Sequence, residues 1–180
     1  MADGPRSISD VNAMDYEKFI RVFGNCVERG AYIAAAIYEN RPYRTAAHLH
    51  AAFCQFLDGQ PAPHKRGVLR CHPDLAGSLA EAGEVTDESM HEQQSAGLLT
   101  LTSTERQRLR TANDAYKHKF DFPFVVCARE NKKEVIMTEI EQRLSNEPEQ
   151  ELSTGIAEVK KICYYRILSI VSINSGNSNM

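Results

Sequence analysis

The run His72-Pro73-Asp74-Leu75-Ala76-Gly77 places an imidazole where proline fixes the backbone, and Ser89, Glu92 and Gln93 follow shortly after it. An unperturbed imidazole titrates near pH 6.5 and can give or take a proton at neutral pH, and a carboxylate beside it favours its charged form. Together they make a candidate acid/base site. A histidine before proline is also a common loop residue that caps a neighbouring helix, so His72 alone decides nothing. A second signal comes from the end of the chain. Leu152, Ile156, Val159, Cys163 and Ile170 form an apolar seam at steps of four and three, and Arg166 falls on the same seam. A guanidinium directed at a core is costly unless an anion meets it. Arg166 therefore either snorkels past the edge of the seam, pairs with an internal carboxylate, or meets an anionic or carbonyl-rich ligand.

The elements that must carry these groups read as helices. Tyr16, Phe19, Ile20 and Phe23 follow helical spacing behind Asp15 and stop at Gly24, and a second helix spans Tyr32 to Tyr38 with Pro42 after it. Thr45 caps a third, with Leu49, Phe53, Phe56 and Leu57 inward and Gly59 at its end. From Gln60 to Gly83, three prolines and three glycines predict a long irregular loop that carries His72. Helical order resumes from Thr86 to about Ala96, where Ser89, Glu92, Gln93 and Ala96 put a polar stripe on one face that is either solvated or lines a pocket. Thr102 with Glu105 and Asn131 with Glu134 have capping-box spacing ahead of two further helices, and a last helix spans Glu149 to about Ser172. Between them, Phe122 to Arg129 has strand-like composition without a partner strand, which predicts a buried extended segment. The expected fold is all-α: a single-domain helical bundle with a long motif-bearing loop and a short extended segment in the pocket. Residues 1–10 read as a flexible extension, 11–171 as the domain and 172–180 as a flexible tail.

Composition removes several function classes. In 180 residues, 21 basic and 24 acidic side chains leave a net charge of -3, with no basic block to bind nucleic acid. The five cysteines are widely spaced and include no Cys-x-x-Cys pair, so they read as reduced intracellular thiols, and no set of ligands has metal spacing. There is no apolar run of the roughly 20 residues that a membrane span needs, no secretory leader pattern, no phosphate-cradling glycine loop, no nucleophile elbow and no dinucleotide fingerprint. Cofactor-free acid/base chemistry remains.

Taken together, the His72–Gly77 run, the block Ser89 to Leu98, the segment Phe122 to Arg129 and Glu158-Val159-Lys160-Lys161-Ile162 near Arg166 resemble the 2-oxo-4-hydroxy-4-carboxy-5-ureidoimidazoline (OHCU) decarboxylase family over nearly the whole chain. The resemblance implies an all-helical homodimer that removes carbon dioxide from a ureidoimidazoline without metal or organic cofactor, giving (S)-allantoin at the last step of urate breakdown. It implies catalytic roles for His72 and Glu92, with Arg166 holding the ligand. It implies ligand-lining roles for Pro73, for Ser89, Met90, His91, Glu92 and Gln93, and for Phe124, Val125, Val126, Cys127 and Ala128. It also implies the peroxisome, but Ser178-Asn179-Met180 lacks the basic middle residue of a Ser-Lys-Leu signal, and the cytosol is the fallback. Two alternatives stay open: a helical module that binds a ureide without turning it over, and a ureide hydrolase, for which no activated nucleophile is visible.

Overall fold

The computed structural model describes residues 4–77 and 85–172, and the regular elements among them are helices. None of these is long and apolar enough to cross a membrane. The chain divides into two compact units, Met1–Gln60 with Lys160–Met180, and Pro61–Val159.

In the first unit, α1 (Ile8–Asn12), α2 (Tyr16–Phe23), α3 (Ala31–Ile37) and α4 (Ala46–Asp58) follow one another. Asp15 caps α2, accepting from the Lys18 N–H, and Thr45 caps α4, accepting from the His48 N–H, as the sequence predicts. Phe19, Phe23, Ile33, Leu49, Phe53 and Leu57 are fully buried. Each such side chain contributes about 1.5–3 kcal/mol by leaving water. Residues 6–10, assigned from sequence to a flexible extension, are instead built into the fold. Ser7 and Asp10 form a capping box at α1, and the Arg6 N–H donates to the Ile170 carbonyl at 2.8 Å while the Ser172 N–H donates back to Arg6. The Ser-x-x-Asp spacing that begins α1 is the signal for this.

In the second unit, α5 (Ala62–Arg70) occupies the first part of the predicted Gln60–Gly83 loop. The prolines do not forbid it, because Pro61 is the N-cap and Pro63 lies in the first turn, where a missing N–H costs nothing. The irregular stretch that carries His72 therefore starts only at Cys71; residues 78–84 of the expected loop lie outside the described ones. Next come α6 (Asp87–Ser95, capped by Thr86), α7 (Ser103–Phe120, opened by the Thr102–Glu105 capping box) and α8 (Lys133–Arg143). Gly97, at φ +82°, ends the turn after α6 in a conformation that disfavours a side chain. The predicted Asn131–Glu134 capping box does not form. Lys132 is the N-cap of α8, and the Asn131 side chain turns back to donate to the Cys127 carbonyl at 3.1 Å, closing the short turn Ala128–Glu130.

The last helix, α9 (Pro148–Ile170), starts at Pro148 itself and ends two residues short of Ser172. Its residues up to Val159 belong to the second unit and those from Lys160 to the first. Gly155 is its close-approach point in the second unit. A Cβ there would meet the buried Leu69 side chain at 2.9 Å, so α9 lies tight against the turn of α5 that precedes His72.

Candidate functional site

His72 follows directly on the end of α5. Its N–H donates to the Leu69 carbonyl at 3.0 Å, and its Nδ1 lies 3.1 Å from the Val68 carbonyl, with the side chain 8% exposed. A carbonyl only accepts, so Nδ1 carries a proton and, in the neutral ring, Nε2 carries the lone pair. The helix end thus sets which nitrogen of the neutral ring is the basic one. Four residues on, one peptide group holds the loop in place. The Ala76 N–H donates to Gln93 Oε1 at 2.8 Å, and the Leu75 carbonyl of the same peptide accepts from Asn113 Nδ2 at 3.2 Å. Gln93 is 2% and Asn113 4% exposed. Lys117 adds an ion pair to Asp74 at 2.6 Å. Among the described residues, Gln93 Nε2 and Asn113 Oδ1 are buried without a hydrogen-bond partner.

The polar stripe of α6 is not solvated: Ser89, Gln93 and Ala96 are buried and Glu92 half-buried, while Met90 is intermediate and His91 exposed. Glu92 and His91 line a cavity of about 280 Å³ with Ser95, Arg129, Asn131 and Lys132. His72 is not among its lining residues. What joins the His72 loop to this helix is the Gln93 bond, one residue from Glu92.

Phe124 to Ala128 is buried throughout and outside regular helix up to Cys127, as predicted. Its supports are charged. Arg143 Nη1 donates to the Val125 carbonyl at 3.0 Å, and its Cζ lies 4.5 Å from the centre of the Phe124 ring. The same guanidinium donates through Nε to Glu151 Oε1 at 2.8 Å, and the Tyr116 hydroxyl donates to that oxygen too. Burial works against the charge of Arg143, but the Glu151 and Tyr116 contacts outweigh it and hold the guanidinium above its usual range; burial and Glu151 push the Tyr116 phenol up. On the other side of Val126, the Cys127 N–H donates to Glu158 Oε2 at 2.8 Å. Among the described residues, neither the N–H nor the C=O of Val126 has a partner, although the residue is 3% exposed. Burial, with Glu130 adding to it, pushes the Cys127 thiol up to about 11, so it is not a thiolate nucleophile at neutral pH.

Arg166 belongs to the first unit. It is 4% exposed, and its Nη1 donates to Glu28 Oε2 and to the Asn25 carbonyl, each at 2.9 Å. The internal-carboxylate alternative for its place on an apolar seam is therefore met. Sequence reasoning did not single out Asn113, Tyr116, Arg143, Glu151 or Glu28, which make these contacts. Asn113 was findable, since it sits on the α7 seam Leu109, Ala112, Tyr116 and Phe120 just as Arg166 sits on its own seam. Arg143 likewise continues the seam of Ile136 and Ile140.

Residues 12–168 match the family model described as OHCU decarboxylase. A curated relative from Amia calva, 2-oxo-4-hydroxy-4-carboxy-5-ureidoimidazoline decarboxylase, is 45% identical over 170 residues, covering 94% of this chain and 97% of that one. Among solved structures, a crystal structure of (S)-allantoin synthase superposes with a TM-score of 0.75 at 23% identity over 93% of this chain; the chain spans about half, 54%, of that protein. A crystal structure of OHCU decarboxylase in the presence of (S)-allantoin superposes with a TM-score of 0.67 at 20% identity, covering 86% of this chain and 96% of that one. At these identities the structural likeness is one of fold.

Proposed function

The chain belongs to the OHCU decarboxylase family, and on that premise we propose that it converts 2-oxo-4-hydroxy-4-carboxy-5-ureidoimidazoline to (S)-allantoin in urate degradation, with His72 as the proton-transfer group. The observation that carries the assignment of His72 is its Nδ1 contact with the Val68 carbonyl, which leaves Nε2 as the basic nitrogen of the neutral ring. The chemistry asks for such a group. When the bond to the carboxylate breaks, carbon dioxide leaves and the electron pair stays on the ring carbon, is delocalised into the ring, and must be protonated from one face to give one enantiomer. A buried imidazole fixed at Nδ1 can deliver a proton from a single direction. An acid/base group in place contributes about 10² to 10⁴ in rate, or roughly 3 to 5 kcal/mol.

Glu92 is the carboxylate that assists, supported by its neighbour Gln93, whose side chain ties α6 to the His72 loop. Gln93 Nε2 and the Val126 N–H and C=O are donors and an acceptor suited to a ureide, which presents N–H and C=O groups side by side. Arg166 takes its ligand-holding role from the family resemblance; Glu28 fixes its guanidinium from within the first unit. The homodimer and the peroxisomal address rest on that resemblance too.

The test generates the unstable ureidoimidazoline from urate with the two enzymes that precede this step, adds the protein, and follows optical activity with carbon dioxide release. Accelerated appearance of (S)-allantoin supports the proposal. Unchanged decay to racemic product would support a binding module instead, and ring-opened allantoate a hydrolase.

A further inference from the structure

Two peptide groups flank Val126, and each is held at one end by a buried charge. In the peptide between Val125 and Val126, the carbonyl accepts from the Arg143 guanidinium at 3.0 Å, and the other end is the unpartnered Val126 N–H. In the peptide between Val126 and Cys127, the N–H donates to the Glu158 carboxylate at 2.8 Å, and the other end is the Val126 C=O. Arg143 is 6% and Glu158 6% exposed. A cation on a carbonyl draws electron density along the amide and makes its N–H a stronger donor; an anion on an N–H makes the carbonyl of that amide a stronger acceptor. The two charges therefore act in the same sense on the two groups left over. In an extended chain these two groups of one residue point to the same side, which is how one strand residue exchanges a pair of bonds with its partner.

We propose that Arg143 and Glu158 are positioning residues that hold Val126 and polarise its N–H and C=O to take up a ureide, one donor and one acceptor at a time from a single residue. This rests on the ligand-lining role given to the segment above. It also accounts for the choice of charges. A buried ion pair such as Arg143–Glu151 is often no more stabilising than well-packed apolar side chains, so stability alone does not explain why a guanidinium lies beneath this segment. Of the Arg143 donors, one goes to backbone that carries no regular structure, next to the residue with both polar groups unused. Phe124, with its ring over the guanidinium and edge-on to Tyr116 at 5.3 Å, fixes the chain on the near side.

The experiment measures (S)-allantoin binding by calorimetry and steady-state turnover on the full chain and on Glu158→Gln, Glu158→Leu and Arg143→Lys, each kept below its unfolding temperature as followed by circular dichroism. Glu158→Gln keeps an acceptor for the Cys127 N–H but no charge, and should weaken binding by about threefold; Glu158→Leu and Arg143→Lys should weaken it by about tenfold. KM should rise with Kd while kcat stays within about twofold, because the lost interaction serves ground and transition states alike. A merely structural role would lower the unfolding temperature and leave KM of the folded protein unmoved. Unchanged Kd and KM in folded Glu158→Leu would overturn the inference, as would a fall in kcat alone. Should Glu158→Leu not fold, unchanged binding in both Glu158→Gln and Arg143→Lys has the same force. If the parent protein neither binds (S)-allantoin nor releases carbon dioxide, the proposed function falls and this inference with it, whereas a parent that binds beside unaffected variants sinks the inference alone.

Discussion

The Leu75–Ala76 peptide of the His72 loop is gripped by two neutral amides, Gln93 and Asn113, whereas the peptides on either side of Val126 are gripped by a guanidinium and a carboxylate. These peptides are buried and lie in irregular chain, and all hang on side chains from the helices around them. The difference fits the role proposed for each. In the role proposed for it His72 changes its charge during turnover, and two neutral amides hold the Leu75–Ala76 peptide without adding a net charge to a loop that already carries the Asp74–Lys117 pair. Residues 124–128 hold no group that has to titrate, so charges there cost nothing in proton chemistry and sharpen the backbone groups they do not cover.

The contrast can be broken most sharply at the residues themselves. His72→Asn should lower kcat by about 10² to 10⁴ while leaving the melting temperature close to that of the parent, because Asn supplies a donor for the Val68 carbonyl but no proton relay; stopped-flow decarboxylation with a parallel melt reads both. On the other side, Arg143→Met should destabilise the fold by about 3–5 kcal/mol, since it takes the only cation paired with the Glu151 carboxylate among the described residues away from a group at 0% exposure and leaves it the Tyr116 and Asn146 hydrogen bonds alone; urea titration measures it. Asn113→Leu should cost less, about 1–3 kcal/mol, by leaving the buried Leu75 carbonyl unmet. That loss should be insensitive to salt, as a neutral grip requires.

The smallest effect lies outside both regions and serves as a control. The Lys133 ammonium, with the Thr102 contacts, holds the Glu105 carboxyl down to about 2, below its unfolded value of 4.5. A depressed carboxyl stabilises the fold above the unfolded value, and that stabilisation is lost as pH falls through the folded one. Melting temperatures between pH 4.5 and 2 should thus decline less steeply in Glu105→Gln than in the parent. Turnover at neutral pH should not change, since neither the loop nor the segment is touched.

Much of this was legible along the chain because its physics is local. Asp15, Thr45 and the Thr102–Glu105 pair cap helices through contacts three residues away, so their spacing alone reports them. The extended segment showed itself by composition and the polar stripe of α6 by period, though period left open whether that stripe faced solvent. Local reasoning failed where a tertiary contact decided between two local options. Asn131 had the spacing of a cap but closes the turn behind it on Cys127, and Pro61 with Pro63 suggested a loop where they open a helix. The supports of the site were harder still, since the Asn113–Leu75 and Arg143–Val125 contacts span 38 and 18 residues. The sequence shows only that a polar residue sits on an apolar seam; its partner is chosen by the fold. Arg166 illustrates the point, for its seam position called for an anion and Glu28, 138 residues away, supplies one.

The most direct test of the account is the ring of His72 itself. In protein labelled with ¹⁵N at histidine, the neutral ring should show a protonated Nδ1 and a basic Nε2, and its titration midpoint should coincide with the midpoint of the pH dependence of turnover. A ring protonated at Nε2, or one whose titration leaves turnover unchanged, would contradict the assignment of His72 as the proton-transfer group.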